Sequence, residues 1–177
     1  VPHPFTLEGG DFLPAGPSLC FVGTGLRTDY GAIQWIMQQD LFGTRRVAMV
    51  EDMFDRSQDR MHLDTVFNIL SERCCALLES IIGADNERRR LVTEYTKTRF
   101  GYEVTRTGVE FAQYLRDEGF HIIAVPEEYQ LRYGINFLNM GDSRILAVHE
   151  PSKLLFEADP AFAGTITYVR YDGITGM

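Results

Sequence analysis

The stretch Asp59–Phe67, "DRMHLDTVF", places an imidazole and a carboxylate two positions apart, at His62 and Asp64. Apolar residues flank the pair and continue into "NILS", so the run reads as the start of a β-strand. Alternate strand residues point to one side, which puts His62 and Asp64 on a shared face. Two readings stand at this point. The histidine is either a proton carrier held by a fixed charge or a core group satisfied by its neighbour.

Working outward, "HLDTVFNILS" and "CCALLESII" read as paired strands around a polar turn at Glu72 and Arg73. "GVEFAQYLRDEG" reads as a short helix closed by Gly119, and "FHIIAVP" as a returning strand. The same order occurs upstream. "FTLEGGDFL" and "SLCFVGTG" pair through a "PAGP" turn. A helix over "TDYGAIQWIMQQDLF" follows, with Ile33, Ile36, Met37 and Leu41 on one side, and "RRVAMVEDM" returns as a strand. Downstream, "GINFLNMGDSRILAVHE" gives two strands around an Asn-Met-Gly-Asp-Ser turn. "PSKLLFEADPAFAG" then gives a helix and "TITYVRYD" the third returning strand. The polar segment "GADNERRRLVTEYTKTRFGYEVTRT" is expected to hold a helix or a surface loop, with "NERRR" as a solvated face.

The pattern is therefore an α/β repeat of strand, turn, strand, helix, strand. Units that each expose an apolar face bury it by stacking on neighbours. Three units in an arc leave two raw edges, so the chain is expected to belong to a larger ring.

Bulk properties narrow the function. With 177 residues and 45% apolar content the chain can bury one good core. A net charge of -8 argues against a nucleic-acid partner and suits a protein that handles cationic ligands. Cys20, Cys74 and Cys75 form neither a disulfide framework nor a metal spacing; the adjacent pair reads as small buried hydrophobes. That usage fits a reducing compartment and a cytoplasmic location. No apolar run reaches the roughly 18 residues of a membrane span. The chain opens on Val1 and stops at "YDGITGM", so both natural termini are expected to lie outside it.

Some polar residues are not needed by the repeat. In "LEGGDFL", Glu8 and Asp11 bracket two glycines, which allow close backbone approach to a ligand or simply a turn with surface acids. In "GTGLRTDYG", Arg27 and Thr28 sit at a strand-to-helix junction, where an arginine serves as a carboxylate clamp or a structural ion pair.

Glu8 in "EGGD", Arg27 in "GLRT" and His62 with Asp64 in "HLD", in that order within a repeated fold, closely resemble the guanidino-group-modifying superfamily of arginine deiminases and amidinotransferases. The resemblance implies the pentein fold, a five-bladed β/α propeller of ββαβ-type units. This chain would cover about three of the five, and residues 1–177 would form part of a single catalytic domain. It implies that Glu8 lines the guanidinium pocket with Asp11 beside it, that His62 is the general acid and base, and that Asp64 pairs with guanidinium nitrogens. Arg27 would grip the substrate carboxylate. The family's nucleophilic cysteine follows the third returning strand and a second aspartate precedes "EGGD"; neither falls within residues 1–177, so the chain alone is expected to be inactive.

The activity implied is hydrolysis of L-arginine to L-citrulline and ammonia through a covalent S-amidino-cysteine, with no cofactor and no metal. The alternatives are amidino transfer to an amine such as glycine, deimination of agmatine or peptidyl-arginine, and a non-catalytic pentein. The partner implied is a small guanidino compound; a homo-oligomer is compatible with the family.

Overall fold

In the computed structural model, which describes residues 1–54 and 56–170, one chain path recurs three times. The first pass runs through β1 (Phe12–Pro14), β2 (Leu19–Thr24), α1 (Tyr30–Gln38) and β3 (Arg46–Glu51). The second begins with β4 (Phe67–Ser71) and β5 (Cys74–Leu78). It is interrupted by a hairpin of β6 (Leu91–Thr98) and β7 (Gly101–Glu110), then finishes with α2 (Phe111–Asp117) and β8 (His121–Val125). A helical turn, α3 (Glu127–Gln130), leads to the third pass of β9 (Leu138–Asn139), β10 (Arg144–Ala147), α4 (Glu150–Ala158) and β11 (Thr165–Tyr168). Each pass pairs its first two strands antiparallel and its returning strand parallel to the second: β1-β2-β3, β4-β5-β8 and β9-β10-β11. The expected ββαβ unit is therefore present three times, in three sheets. Tyr171 and Asp172, the end of the expected third returning strand, lie outside the described residues.

The central strand of each of the first two passes is buried on both faces. β2 reads Leu19, Cys20, Phe21, Val22 without a polar break, and all five residues of β5 are buried. Where the passes meet, Phe21 packs edge-on against Phe67 (ring centroids 5.0 Å), Phe111 (5.9 Å) and Tyr114 (6.1 Å). Phe137 against Phe156 (5.7 Å) anchors the third pass. α1 buries Ile33 and Met37, one turn apart, on the other face of the first sheet. Leu41, expected on that stripe, lies past the helix end and is 63% exposed. Gly119 closes α2 in the left-handed region (φ 82°), as its sequence position implied.

Three expectations are corrected. The polar segment after β5 is a loop only over residues 83–90 and otherwise a pair of strands. Its β6–β7 hairpin joins the first sheet beside β3, giving the order β1-β2-β3-β6-β7. "EGGD" is not extended strand but a single 3₁₀ turn, Gly9–Asp11, leaving β1 with three residues. "HLDT" is likewise a 3₁₀ turn, Leu63–Thr65, and β4 starts only at Phe67. In both cases a side-chain or backbone clasp between distant segments replaces the strand ladder.

Candidate active site

The clasp is Asp11. Its Oδ2 accepts the Thr28 hydroxyl (2.6 Å) and its Oδ1 accepts the Leu63 backbone N–H (2.8 Å). One carboxylate thus ties the turn before β1, the loop before α1 and the turn before β4. The same Thr28 hydroxyl accepts the Glu8 N–H (3.2 Å). Asp11 is buried, and burial raises its carboxyl above the ordinary range against the pull of Thr28 and Leu63. Gly23 makes room for it, because a Cβ there would lie 2.5 Å from Asp11 Oδ1. Asp11, expected among the substrate contacts, is 4% exposed and has a protein donor on each oxygen.

Above the clasp, the two 3₁₀ turns face each other across Gly10. A Cβ on Gly10 would come within 2.9 Å of Asp64 Oδ1 and of the His62 ring. The glycine is required for space, and this close approach brings His62 and Asp64 together although neither is in a strand. The His62 Nε2 lies 2.6 Å from Glu8 Oε2, and the Arg27 Nη2 lies 2.8 Å from Glu8 Oε1. One carboxylate thus spans an imidazole and a guanidinium. His62 is the inner partner (16% side-chain exposure) and Arg27 the outer (46%). The bond to His62, with Arg27 adding to it, holds the Glu8 carboxyl below its usual range. Asp64 differs: its Oδ1 is buried and accepts no hydrogen bond. Burial raises its carboxyl, while the His62 charge and the Asn136 side chain act the other way. His62 also opens onto a cleft of about 860 Å³ whose walls include Thr65, Arg132, Tyr133 and Asn136. The site therefore combines an imidazole, a carboxylate already holding a guanidinium, and a buried carboxylate oxygen lacking a donor.

Residues 2–160 match the arginine deiminase family. The chain belongs to that family. The arginine deiminase of Halobacterium salinarum is 28% identical over 187 residues, covering 80% of this chain. The chain spans 37% of the length of that curated relative. Among solved structures, a Pseudomonas aeruginosa dimethylarginine dimethylaminohydrolase complexed with citrulline is similar at a TM-score of 0.61 and 16% identity. That match covers 96% of this chain and 51% of that one. An amidinotransferase of the saxitoxin biosynthetic pathway from Microseira wollei is similar at a TM-score of 0.58 and 12% identity, covering 96% and 46%. The three ββαβ units are thus those of the pentein fold.

Glu8, Arg27, His62 and Asp64 thus converge from positions up to 56 residues apart. The three cysteines do not. Cys74 opposes Ser71 at the far end of the β4–β5 hairpin, while the site adjoins Phe67. At roughly 3.3 Å per strand residue the separation along β4 is about 13 Å. Burial pushes the Cys20 and Cys74 thiols up to about 11, and Cys75 higher still. Asn136 and Gly10 are not among the site residues expected from the sequence, and Thr28 is placed there only at the strand-to-helix junction beside Arg27. Gly10 carries a local signal, its place in the glycine pair beside Glu8, whereas Asn136 carries none.

Proposed function

We propose that this chain forms part of the catalytic domain of an arginine deiminase-like hydrolase that converts L-arginine and water to L-citrulline and ammonia. The observation that carries the reading is Glu8 holding a guanidinium and His62 at once, beside the donorless Asp64 oxygen. A guanidinium is a planar set of five donors, so carboxylates in its plane recognise it through charge-assisted bonds. Glu8 and Asp64 supply those acceptors, with a second aspartate from another part of the whole protein.

A cysteine thiolate, also from another part of the whole protein, attacks the guanidinium carbon and forms a C–S bond. The C–N bond to the leaving nitrogen breaks as His62 gives that nitrogen its proton, and ammonia departs. His62 then takes a proton from water, whose oxygen adds to the same carbon. The C–S bond breaks, which releases citrulline and restores the thiolate. Cys20, Cys74 and Cys75 are unsuited to the attack, because burial keeps them protonated. Three buried free thiols also support a reducing, cytoplasmic setting. Among the described residues, no helix is long and apolar enough to cross a membrane.

Product analysis of the full-length protein with L-arginine, with and without glycine, tests this reading. Citrulline and ammonia in both cases are expected. Ornithine with guanidinoacetate appearing only with glycine would assign an amidinotransferase instead, the activity of one structural neighbour.

A further inference from the structure

We propose that Arg27 is an internal placeholder whose guanidinium occupies on Glu8 the position a substrate guanidinium takes, so that binding is an exchange of one guanidinium for another. The inference rests on the guanidinium-site reading above.

Three observations point to it. First, Glu8 Oε2 is held by His62 (2.6 Å) and Oε1 by Arg27 (2.8 Å), so a guanidinium that takes the Oε1 position competes with Arg27 for it. His62 is the worse candidate to leave, since its ring is packed against Gly10. Second, the Arg27 backbone is fixed independently of its side chain. The Thr6 hydroxyl donates to the Arg27 carbonyl (3.0 Å), the Thr24 hydroxyl donates to the neighbouring Thr28 carbonyl (3.1 Å), and Thr28 is bonded to Asp11. The half-exposed guanidinium can therefore swing into solvent without moving the loop. Third, the Asp64 Oδ1 accepts nothing in this arrangement, so Arg27 holds Glu8 but leaves the second acceptor unused. A ligand guanidinium that reaches both carboxylates satisfies a buried acceptor that Arg27 does not, and this difference drives the exchange.

Once displaced, Arg27 is free to meet an anionic group on the same ligand. A guanidino compound with a carboxylate thus both evicts Arg27 and recaptures it. One without a carboxylate evicts it with no new partner in return. The placeholder selects against decarboxylated guanidines by competition at Glu8, in addition to any loss of carboxylate contact.

The test is direct binding to the full-length protein and its Arg27→Gln variant, using agmatine, which has a guanidinium and no carboxylate. Cadaverine, a diamine of the same charge, is the control for simple removal of a positive charge. Arg27→Gln is expected to bind agmatine about two- to fivefold more tightly, the range a half-exposed ion pair carries, with cadaverine unchanged. Agmatine affinity that stays the same, or rises only in step with cadaverine, overturns the proposal. If the variant fails to fold, the Arg27 side-chain Nε–H resonance of the unmodified protein reports the same event. Agmatine should shift it, and an unmoved resonance under saturating agmatine overturns the exchange. Failure of the underlying reading looks different: the unmodified protein would neither bind agmatine nor turn over arginine.

Discussion

Burial raises the Asp64 carboxyl above its ordinary 3.8, and its Oδ1 accepts no hydrogen bond. With the folded value above the unfolded one, the native state holds the proton more tightly. The group therefore favours folding below 3.8 and opposes it as pH rises through the folded value. Asp64→Asn is expected to raise the Tm of this chain at pH 7. That advantage should narrow toward pH 3.5, as the pH falls through the folded value. Melts at the two pH values check it, and a variant less stable at pH 7 contradicts a destabilising charge. The residue types of the site were legible in the sequence, but their contacts were not. His62 and Asp64 meet because of Gly10 and a 3₁₀ turn, not because of the strand alternation that first suggested a shared face. Nothing local reveals that Glu8 reaches a residue 54 positions away.

At the scale of elements, the turns around Gly10 set the site. Gly10→Ala puts a Cβ within 2.9 Å of the His62 ring and of Asp64. It is expected to leave the circular dichroism spectrum unchanged while lowering kcat/KM by about 10²-fold, the sensitivity typical of misplaced catalytic groups. Activity within twofold of the wild type would remove Gly10 from the account. The β6–β7 hairpin is held by Glu94 on β6, which pairs with Arg46 on β3 and accepts the Tyr114 hydroxyl from α2 (2.5 Å) and the Thr105 hydroxyl from β7 (2.7 Å). Burial pushes the Glu94 carboxyl up, but Arg46, Tyr114 and Thr105 outweigh it and hold the group below 4.5. A depressed carboxyl contributes stability above its unfolded value and loses it as pH falls through the folded one. Glu94→Gln is expected to lower stability at pH 7 by about 1–3 kcal/mol, less than a fully buried pair because Arg46 is partly exposed. The difference should narrow in acid, and denaturant titrations at pH 7 and pH 3.5 measure it. This hairpin also explains where the sequence reading fell short. "LVTEYTKT" looks like polar surface because Glu94 is charged, yet Glu94 is buried. Its compensating arginine lies 48 residues earlier and across the sheet. The apolar strands and the Gly119 helix stop were legible because their signals are local.

For the whole molecule, the fold repeats one ββαβ unit three times, and the candidate-site residues lie in the first two passes with Asn136 from the approach to the third. The nucleophile is assigned to none of the cysteines present. Alanine at Cys20, Cys74 or Cys75 in the full-length protein is therefore expected to keep citrulline formation within about twofold once each variant is corrected for folded fraction, since each lies in the core. A complete loss at any one of them, in a folded variant, would move the chemistry into the core.

The central claim is that His62, held by Glu8, shuttles the proton for chemistry on a guanidinium. The most direct measurement is citrulline formation from L-arginine by the full-length protein and by its His62→Ala variant. The account predicts a loss of about 10²–10⁴-fold, the range of a general acid–base group, with the fold intact by circular dichroism. A folded variant that retains turnover within tenfold of the wild type would contradict it.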